Sequence, residues 1–336
     1  NAKAQTREFI EKVERIAPDI VHIHNLHGYY INIEILFDYL TRKSIPIVLT
    51  MHDCWTFTGH CAYFESADCY KWETHCQKCP QTRAYPASFF RDNSPRNFDR
   101  KKRIFNSPER IVYVPVSQWL DRYVGQSYLK DKPHRVIYNG IDLEDFKPTP
   151  TQGLREKYDI TRPKVVLGVG SIWDKRKGID DFCRMPKHLP DDVQIVLVGV
   201  TEKDRALLPK DVIGISRTEN ICELAALYSL ADVFANPTYE DNMPTVNLEA
   251  LACGTPLVTY NTGGSPESLQ GRTDIGSVVE KGNLGDFTNA VNALLDANLH
   301  DLAQKCTQQA RTLFSKEVFY QNYKKLFDEL LDSAIR

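Results

Sequence analysis

A chain of 336 residues that is 42% hydrophobic and 26% charged has the composition of a globular protein with room for about two domains. No apolar run approaches the ~18 residues of a membrane-spanning helix, which argues against an integral membrane protein. The net charge of −2 gives no reason to expect a nucleic-acid partner.

The first part of the chain alternates short apolar runs with helical patterns. Ser117 is the predicted N-cap of one helix. The runs predicted as buried strands are 18–24, 45–51, 111–116 and 134–138. This alternation is typical of a parallel sheet covered by helices on both faces.

The alternation of apolar runs and helical patterns begins again after a proline-bearing linker near residues 140–152. Strands are predicted at 164–169, 193–198, 232–236 and 256–260, and helices near 178–188, 220–230, 244–253 and 285–296. The sequence therefore predicts an α/β protein of two Rossmann-like units.

The linker and the last helical pattern predict how the chain divides. The predicted first unit covers residues 1–148 and the second covers 149–315. Residues 316–336 form an amphipathic pattern that we expect to pack back on the first unit.

Two histidine-bearing segments follow strands of the first unit. They are HIHNLHGYY, from His22, and TMHDCWTFTGHC, from Thr50. His24, His27 and His52 fall at or just beyond the strand ends, where open parallel sheets bind ligands. A structural role for these histidines is the alternative interpretation.

A cysteine-rich insertion is predicted between residues 54 and 80. Cys61, Cys69, Cys76 and Cys79 are separated by seven, six and two residues. Four thiolates can close a tetrahedral structural zinc site, with His60 and His75 as further candidate ligands. The first two spacings match no standard zinc pattern, so disulfides and free thiols remain alternatives. A metal here would fold a loop and would not take part in the chemistry.

A basic stretch follows the insertion. Its cationic residues are Arg91, Arg96, Arg100, Lys101, Lys102 and Arg103. One interpretation is a solvated helix face, and the other is a patch that faces anionic lipid or a lipid-linked diphosphate.

In the second unit, GVGSIWDKRKGID follows a strand and begins a helix. Arg176 and Lys177 lie at that helix start, where cations are unfavourable unless an anion is present. The segment is either a phosphate-binding turn or a solvated basic turn.

The segment PTYEDNMPTVNLEALACGTP contains a second predicted helix whose N-terminus could bind a ligand. Pro244 suits the first turn of a helix, and Gly254 suits the position just past its end. The free N–H groups of Thr245 and Val246 would then face outward and could bind a phosphate.

Two carboxylates accompany this helix start. Glu249 lies about 7.5 Å along the axis from Pro244, at ~1.5 Å per residue, and could accept hydrogen bonds from ribose hydroxyls. Asp241 precedes the helix, on the side where a transferred sugar would lie. An ordinary capped helix is the alternative.

The stretch from Pro237 to Glu267 resembles the donor-site signature of the retaining glycosyltransferases of family 4. Members of this family have the GT-B fold, with two facing Rossmann-like domains and parallel sheets. Their signature is an acidic residue, seven others and then Glu, a spacing that Asp241 and Glu249 reproduce. Most of the family has Glu at the first position, so Asp241 is a departure.

The resemblance implies roles for the donor side. Glu249 would bind the nucleotide ribose and Asp241 the hydroxyls of the donor sugar. Lys177 and Gly178 match a Lys-Gly pair that contacts the donor diphosphate. The family usually has an Arg where this chain has Ser171, which leaves Arg176 as the candidate to replace it.

Two further groups receive roles from the same resemblance. Gly263 and Gly264 match a glycine-rich turn beside the donor. The histidine segments are similar to those of polysaccharide-building members, which assigns His52 to the acceptor side, with Asp53 as its orienting partner, and makes His27 a substrate-binding residue. Because Lys177 and helix N–H groups would stabilise the departing diphosphate, no metal cofactor is expected to be required for catalysis.

Family members usually begin with a strand and a glycine-rich loop that do not occur here. We therefore expect the N-terminal domain of this chain to be incomplete, with a longer natural protein.

The resemblance implies a retaining hexosyltransferase. It would move a sugar from a nucleotide-diphosphate sugar to a hydroxyl of a glycan or lipid-linked glycan in bacterial surface polysaccharide synthesis. The expected location is cytoplasmic, with peripheral contact at the inner face of the plasma membrane. The alternatives are a sugar-nucleotide epimerase of the same architecture and a non-catalytic binding protein.

Overall fold

The computed structural model of the chain describes residues 2–28, 30–88 and 91–335, so Tyr29 of the first histidine segment lies outside the described residues. The chain forms two compact units. Unit 1 extends to Tyr138 and resumes at Gln321, and unit 2 is Asn139–Tyr320. The chain thus enters unit 2 earlier than the linker composition predicts.

Unit 1 is a parallel sheet with helices between its strands. The strands are β1 (Val21–His24), β2 (Ile47–Met51) and β3 (Ile111–Pro115), in the order β1-β2-β3. The helices are α1 (Ala2–Ile16), α2 (Ile33–Arg42), α3 (Ser94–Asn106) and α4 (Gln118–Val124). The Ser117 hydroxyl accepts a hydrogen bond from the Leu120 N–H at 3.1 Å, which confirms the predicted N-cap of α4.

The predicted strand 134–138 is wrong, because the segment follows β3 without becoming a strand. The Arg135 N–H donates to the Tyr113 carbonyl at 3.0 Å, and the Ile137 N–H donates to the Pro115 carbonyl at 3.2 Å. The bond between them would need an N–H at Pro115, which proline lacks. Only an isolated bridge between Tyr113 and His134 results.

The cysteine-rich insertion packs on the core of unit 1 through aromatic side chains. Trp72 is fully buried, with its ring centroid 5.0 Å from that of Phe57 and 5.5 Å from that of Tyr123. The Glu65 carboxylate accepts hydrogen bonds from Trp119 and Tyr123. The insertion is therefore joined to α4 by both apolar and polar contacts.

Unit 2 contains a six-stranded parallel sheet in the order β6-β5-β4-β7-β8-β9. The strands are β4 (Lys164–Val169), β5 (Val193–Val198), β6 (Val212–Ile215), β7 (Val233–Asn236), β8 (Leu257–Tyr260) and β9 (Gly276–Val279). Its helices are α5 (Leu154–Lys157), α6 (Ile179–Arg184), α7 (Glu202–Arg205), α8 (Ile221–Leu230), α9 (Thr245–Ala252), α10 (Leu284–Leu295) and α11 (Leu299–Leu313), and the first residues of α12 (Lys316–Ile335) also belong to it.

The four strands predicted for this unit are confirmed, but two more were not predicted. The missed strands, β6 and β9, form the edges of the sheet and are only partly buried. Each contains a glycine, Gly214 or Gly276, and neither has the long apolar run of a central strand. The helix predicted at 178–188 is also shorter, because α6 ends at Arg184 and a 3-10 turn with Pro186 follows.

The final helix, α12, begins in unit 2 and continues into unit 1. Within unit 1 its Tyr323 hydroxyl lies 2.6 Å from the Thr50 hydroxyl, and its Glu329 carboxylate accepts from Arg135 at 2.7 Å. None of the helices within the described residues is both long and apolar enough to cross a membrane.

Candidate functional site

The strand order of unit 2 determines which loops meet at the carboxyl edge of its sheet. From β4 the chain continues to β5 and β6 on one side and then returns to β7, β8 and β9 on the other. The loops after β4, β7 and β8 are therefore neighbours. The gap between β4 and β7 is the point where the strand order reverses, which is where open α/β sheets bind ligands.

The loop after β4 is a tight basic turn. The Asp174 carboxylate caps it by accepting from the Lys177 N–H at 2.9 Å. Gly178 follows with φ +77°, and a Cβ on it would lie 2.2 Å from the Pro237 carbonyl oxygen. Only glycine permits this approach of the β4 loop to the β7 loop.

Lys177 reaches across to the loop after β7. Its ammonium lies 2.5 Å from the Asp241 carboxylate, and the two side chains are 21% and 13% exposed. Arg176 is bonded to the same loop, because its guanidinium donates to the Glu240 carbonyl at 3.0 Å and its own carbonyl accepts from the Tyr239 N–H at 2.7 Å. The structure thus brings Arg176, Lys177 and Asp241 together.

The glycine-rich turn after β8 packs against the Asp241 backbone. Gly263 has φ +56°, and a Cβ there would lie 1.6 Å from the Asp241 carbonyl oxygen. Gly264 directly precedes a 3-10 turn at Ser265–Ser268. The Thr262 hydroxyl donates to the Tyr239 carbonyl at 2.9 Å, which holds the two loops together.

The helix that follows Asp241 is α9. Pro244 is its N-cap and Thr245 its first helical residue, one position later than the predicted start. Thr245 is exposed and Val246 is partly exposed, so the helix start is open. Gly254 lies just past the helix end with φ +88°, as predicted.

Glu249 lies on α9 and has a partner, Tyr228, that sequence reasoning missed. The Tyr228 hydroxyl of α8 donates to the Glu249 carboxylate at 2.8 Å. Burial raises the pKa of Glu249, while hydrogen bonds from Tyr228 and Thr245 oppose that rise. Tyr228 is fully buried in an apolar helix, so nothing in its sequence context marks it as a site residue.

A buried polar network joins α9 to the glycine-rich turn. The Asn236 amide donates to the Asn247 side-chain oxygen at 2.7 Å, and the Asn247 amide donates to the Ser265 hydroxyl at 3.0 Å. Asn247 is fully buried and Asn236 is 7% exposed. An asparagine on the buried face of a helix is the signal that could have predicted this network.

In unit 1 the predicted histidines lie along the carboxyl ends of β1 and β2. The His24 and His52 rings are hydrogen-bonded at 2.9 Å, and the His22 ring is bonded to the Thr50 hydroxyl at 2.8 Å. Burial, followed by repulsion from His24 and His52, lowers the pKa of His22 to about 4. Burial also lowers the pKa values of His24 and His52.

The predicted pairing of Asp53 with His52 is wrong. The Asp53 carboxylate lies 2.8 Å from the His27 ring and accepts from the Trp55 N–H at 2.8 Å. His52 is bonded to His24 instead. The parallel register of β1 and β2 pairs His24 with Thr50, and His52 follows Thr50 by two residues, so the two imidazoles lie close together.

The zinc site predicted at Cys61, Cys69, Cys76 and Cys79 stays a prediction. Among the described residues, no group of three or more His, Cys, Asp or Glu side chains is arranged to hold a metal ion. Cys61 and Cys79 are hydrogen-bonded to each other, and this bond is the main cause that lowers the pKa of Cys79 to about 7. The Cys76 sulfur accepts from the Gly59 N–H at 3.1 Å. The described geometry therefore gives no support to a four-thiolate site that contains Cys69.

The basic stretch is not a uniform solvated face. Arg100 and Arg103 of α3 both form ion pairs with Glu34 of α2. Lys101 is only 2% exposed, and burial lowers its pKa to about 7. Arg96 and Lys102 are exposed, so only part of the stretch is open to solvent.

The two halves of the chain match two protein-family models. Residues 2–145 match the model described as Glycosyltransferase Family 4, and residues 163–297 match the one described as Glycosyl transferases group 1. A relative along almost the whole chain is WcaC of Escherichia coli K12, named as a colanic acid biosynthesis glycosyl transferase. It is 23% identical over 96% of this chain and 80% of its own length.

Other relatives match less of the chain. A D-inositol 3-phosphate glycosyltransferase of Mycobacterium sp. KMS is 28% identical over 53% of this chain, and the match spans 43% of that protein.

Solved structures share the fold at low identity. Sucrose-phosphate synthase of Thermosynechococcus elongatus has a TM-score of 0.73 and 18% identity, with 99% of this chain and 78% of that chain covered. HepE of Anabaena in complex with UDP has a TM-score of 0.71 and 15% identity, with 96% and 82% covered. The predicted fold class, two Rossmann-like units of the GT-B type, is confirmed.

Proposed function

Since the chain is a glycosyltransferase of the GT-B type, we propose that it transfers a hexose from a nucleotide-diphosphate sugar to a hydroxyl of a glycan or lipid-linked acceptor, with retention of anomeric configuration. The donor would bind to unit 2, at the loops after β4, β7 and β8.

The observation that carries this proposal is the contact between Lys177 and Asp241 beside the open start of α9. A cation, a carboxylate and free helix N–H groups are there within reach of one ligand. The positive groups suit a diphosphate, and the carboxylate suits the hydroxyls of the attached sugar. Glu249, farther along the same helix, suits the ribose.

This arrangement supports cleavage of the sugar–phosphate bond. As that bond breaks, negative charge accumulates on the diphosphate, and the Lys177 ammonium and the α9 N–H groups stabilise it where it develops. Asp241 would hold the sugar while the acceptor hydroxyl approaches the face that the diphosphate leaves, which gives retention. No step in this scheme requires a metal ion.

Unit 1 supplies the acceptor side in this proposal. His52, His24 and His27 lie at the carboxyl ends of its strands. Burial favours the neutral form of His52, and a neutral imidazole can accept or donate a hydrogen bond to a sugar hydroxyl.

The comparisons support the ligand class by analogy. HepE, which has the same fold, has been crystallised with UDP and with UDP-glucose. The name of WcaC refers to synthesis of a polysaccharide, colanic acid. Synthesis of a bacterial surface polysaccharide therefore stays part of this proposal. Peripheral contact at the inner face of the plasma membrane is a further part of it, for which the exposed Arg96 and Lys102 are the supporting observation.

The proposal is tested by Lys177→Ala with Lys175→Ala as the matched control. Lys175 lies in the same turn but is exposed, so its loss removes similar charge without touching Asp241. We expect Lys177→Ala to lower the rate of sugar transfer by about 10²–10³-fold, by analogy with the loss of one transition-state donor, and Lys175→Ala to leave it within about twofold.

The measurement is transfer from a panel of radiolabelled nucleotide sugars to membrane-extracted glycan. Equal activity of the two variants would contradict the proposed site. Conversion of the donor to its epimer without acceptor would favour the epimerase alternative.

A further inference from the structure

Unit 1 contains a cavity of about 200 Å³ that the proposed donor site does not use. One wall is apolar and includes Ile31, Ile33 and Pro86, and the indole of Trp55 also faces the space. Three cationic or titratable side chains, Lys101, His60 and Arg100, line it as well. An apolar pocket with a few convergent polar groups is the usual form of a small-ligand site.

The first polar group, Lys101, is buried and forms no ion pair with any side chain that the structure describes. Its ammonium donates to the Trp55 carbonyl at 2.5 Å and lies 3.8 Å from the centre of the Trp55 ring. Neither contact carries a charge. Because an ammonium has three donors, it retains hydrogen-bonding capacity toward the cavity.

The second polar group, His60, has an unused ring nitrogen. The side chain is 6% exposed, and its Nε2 has no hydrogen-bond partner among the described residues. Buried polar atoms without partners are rare in folded proteins, and each requires an explanation.

The third polar group, Arg100, shows the same feature at a different atom. Its Nη2 pairs with Glu34 at 3.2 Å, whereas its buried Nε has no hydrogen-bond partner in the part of the chain that the structure describes. Lys101 and two side chains that each hold one unsatisfied buried nitrogen, His60 and Arg100, therefore line one small space. A bound group rich in acceptor atoms would accept from the Arg100 and Lys101 donors, and also from His60 when that ring carries its proton on Nε2.

We propose that this cavity binds an anionic group of the acceptor, either a carboxylate or a phosphate monoester, through Lys101, His60 and Arg100. The binding of the anion stands on the cavity alone, whereas its identity as an acceptor rests on the proposed transferase function. An oxyanion provides several acceptor lone pairs, and hydrogen bonds that it accepts from charged donors, the Arg100 guanidinium or the Lys101 ammonium, are stronger than neutral ones.

The position of the cavity supports an acceptor as the ligand. A much smaller cavity, of about 10 Å³, adjoins it and is lined by His52 and Asp53, among others. The two cavities share Leu26, His27 and Trp55. A sugar whose anionic group is held by Lys101 would therefore lie beside His27, next to the other histidines that we assign to the acceptor hydroxyl.

The first test is calorimetric titration of the whole chain, without donor, with D-glucuronate, glucose 6-phosphate and glucose. We expect at least one anionic sugar to bind about tenfold or more tightly than glucose, since one charged hydrogen bond has about that effect on affinity. Stronger binding of glucuronate identifies a carboxylate, and stronger binding of glucose 6-phosphate identifies a phosphate. Equal or undetectable binding of all three sugars would overturn the proposal.

The second test locates the binding. Lys101→Met and His60→Asn should each weaken binding of the preferred anion by about tenfold. Lys130→Met, the same substitution at an exposed lysine of unit 1, should leave it unchanged. Wild-type affinity in folded Lys101→Met and His60→Asn variants would place the anion elsewhere and reject the cavity.

A measurement on the wild type covers the case in which the buried-site variants do not fold. Hydrogen exchange followed by mass spectrometry should show that the preferred anion protects peptides around His60 and in α3, but not peptides in α10. Protection confined to unit 2 would reject the cavity. Binding at the cavity without sugar transfer from any donor would instead reject the transferase proposal and leave the anion site standing.

Discussion

Each unit has polar residues at the carboxyl ends of its parallel strands. We call the loops around Lys177, Asp241 and Gly263 the unit 2 edge, and the strand ends around His22, His24 and His52 the unit 1 edge. The charges of these two edges are arranged differently. In unit 2 a cation and a carboxylate are in direct contact, as Lys177 and Asp241 show. In unit 1 three imidazoles lie together, and burial with mutual repulsion keeps the pKa of His22 at about 4.

This difference separates two ways of holding a polar ligand. The unit 2 edge presents fixed charges of both signs, which suits a ligand that is itself charged, such as a diphosphate with its sugar. The neutral imidazoles of the unit 1 edge can donate and accept hydrogen bonds, which suits an uncharged hydroxyl. The following predictions test whether each edge depends on the feature that distinguishes it.

The largest expected effect comes from the backbone contact that holds the unit 2 edge together. Gly263→Ala would add a Cβ about 1.6 Å from the Asp241 carbonyl oxygen, so the Asp241 loop must move. We expect sugar transfer to fall by about 100-fold or more, because small displacements of positioning groups have effects of that size. Transfer assays and thermal unfolding of the variant provide the measurements.

Gly271→Ala is the matched control for this backbone effect. Gly271 also has a positive φ, +75°, but a Cβ there meets nothing within 4 Å. Both alanine variants bear the strain of a left-handed residue, about 1 kcal/mol of unfolding free energy, but only Gly263→Ala should lose transfer. Similar loss of transfer in both variants would show that strain alone, and not the Asp241 contact, causes it.

The surroundings of Gly263 show which parts of the unit 2 edge could be predicted from sequence alone. The strand pattern predicted which loops meet at the unit 2 edge, because parallel strands bring their carboxyl ends together. The resemblance to family 4 glycosyltransferases supplied the roles of Asp241, Glu249 and the glycines after β8. The close contact of Gly263 with Asp241 could not be predicted, since it depends on the three-dimensional path of two loops. The edge strands β6 and β9 were missed because half-buried strands with glycine carry a weak apolar signal.

The unit 1 edge was predicted less completely. The histidines were located correctly at strand ends, but their partners depend on register and on loop paths. In the observed β1–β2 register His24 is hydrogen-bonded to His52, and the Asp53 carboxylate is hydrogen-bonded to His27. Lys101 appeared to belong to a solvated helix, and only its packing against Trp55 reveals that it is buried. Local patterns predict where a residue lies along the chain, whereas its partner depends on packing.

An intermediate effect is expected at Glu249, which tests the ribose end of the unit 2 edge. Glu249→Gln keeps the shape but removes the carboxylate, and it should raise the KM for the donor by about tenfold through loss of charged hydrogen bonds. Tyr228→Phe removes only the hydroxyl that orients Glu249 and should raise KM by about threefold, the loss of one modest hydrogen bond. Initial-rate kinetics at varied donor concentration measure both effects.

Tyr158→Phe provides the control for the tyrosine substitution. The Tyr158 hydroxyl also donates to a glutamate of unit 2, Glu223, at 2.9 Å, but away from α9. We expect its KM for the donor to equal that of the wild type. A Glu249→Gln variant with unchanged KM would contradict the assignment of the ribose to this helix.

The smallest effect should come from His22 in the unit 1 edge, where pH tests whether the imidazoles are held neutral. The pKa of His22 is about 4 in the folded chain, against 6.5 ordinarily, so below pH 6.5 the unfolded chain binds the extra proton. The free energy of unfolding should therefore decrease as the pH falls from 6.5 toward 4. The slope of the unfolding free energy against pH reports how many more protons the unfolded chain binds than the folded chain. His22→Gln should lower that number by up to about one, as measured by urea unfolding at several pH values. His300→Gln, at an exposed histidine of α11, is the control that leaves this cluster intact. If the His22→Gln and wild-type curves remain parallel between pH 4 and 6.5, His22 titrates alike in both states, and the contrast between a charged edge and a neutral one fails.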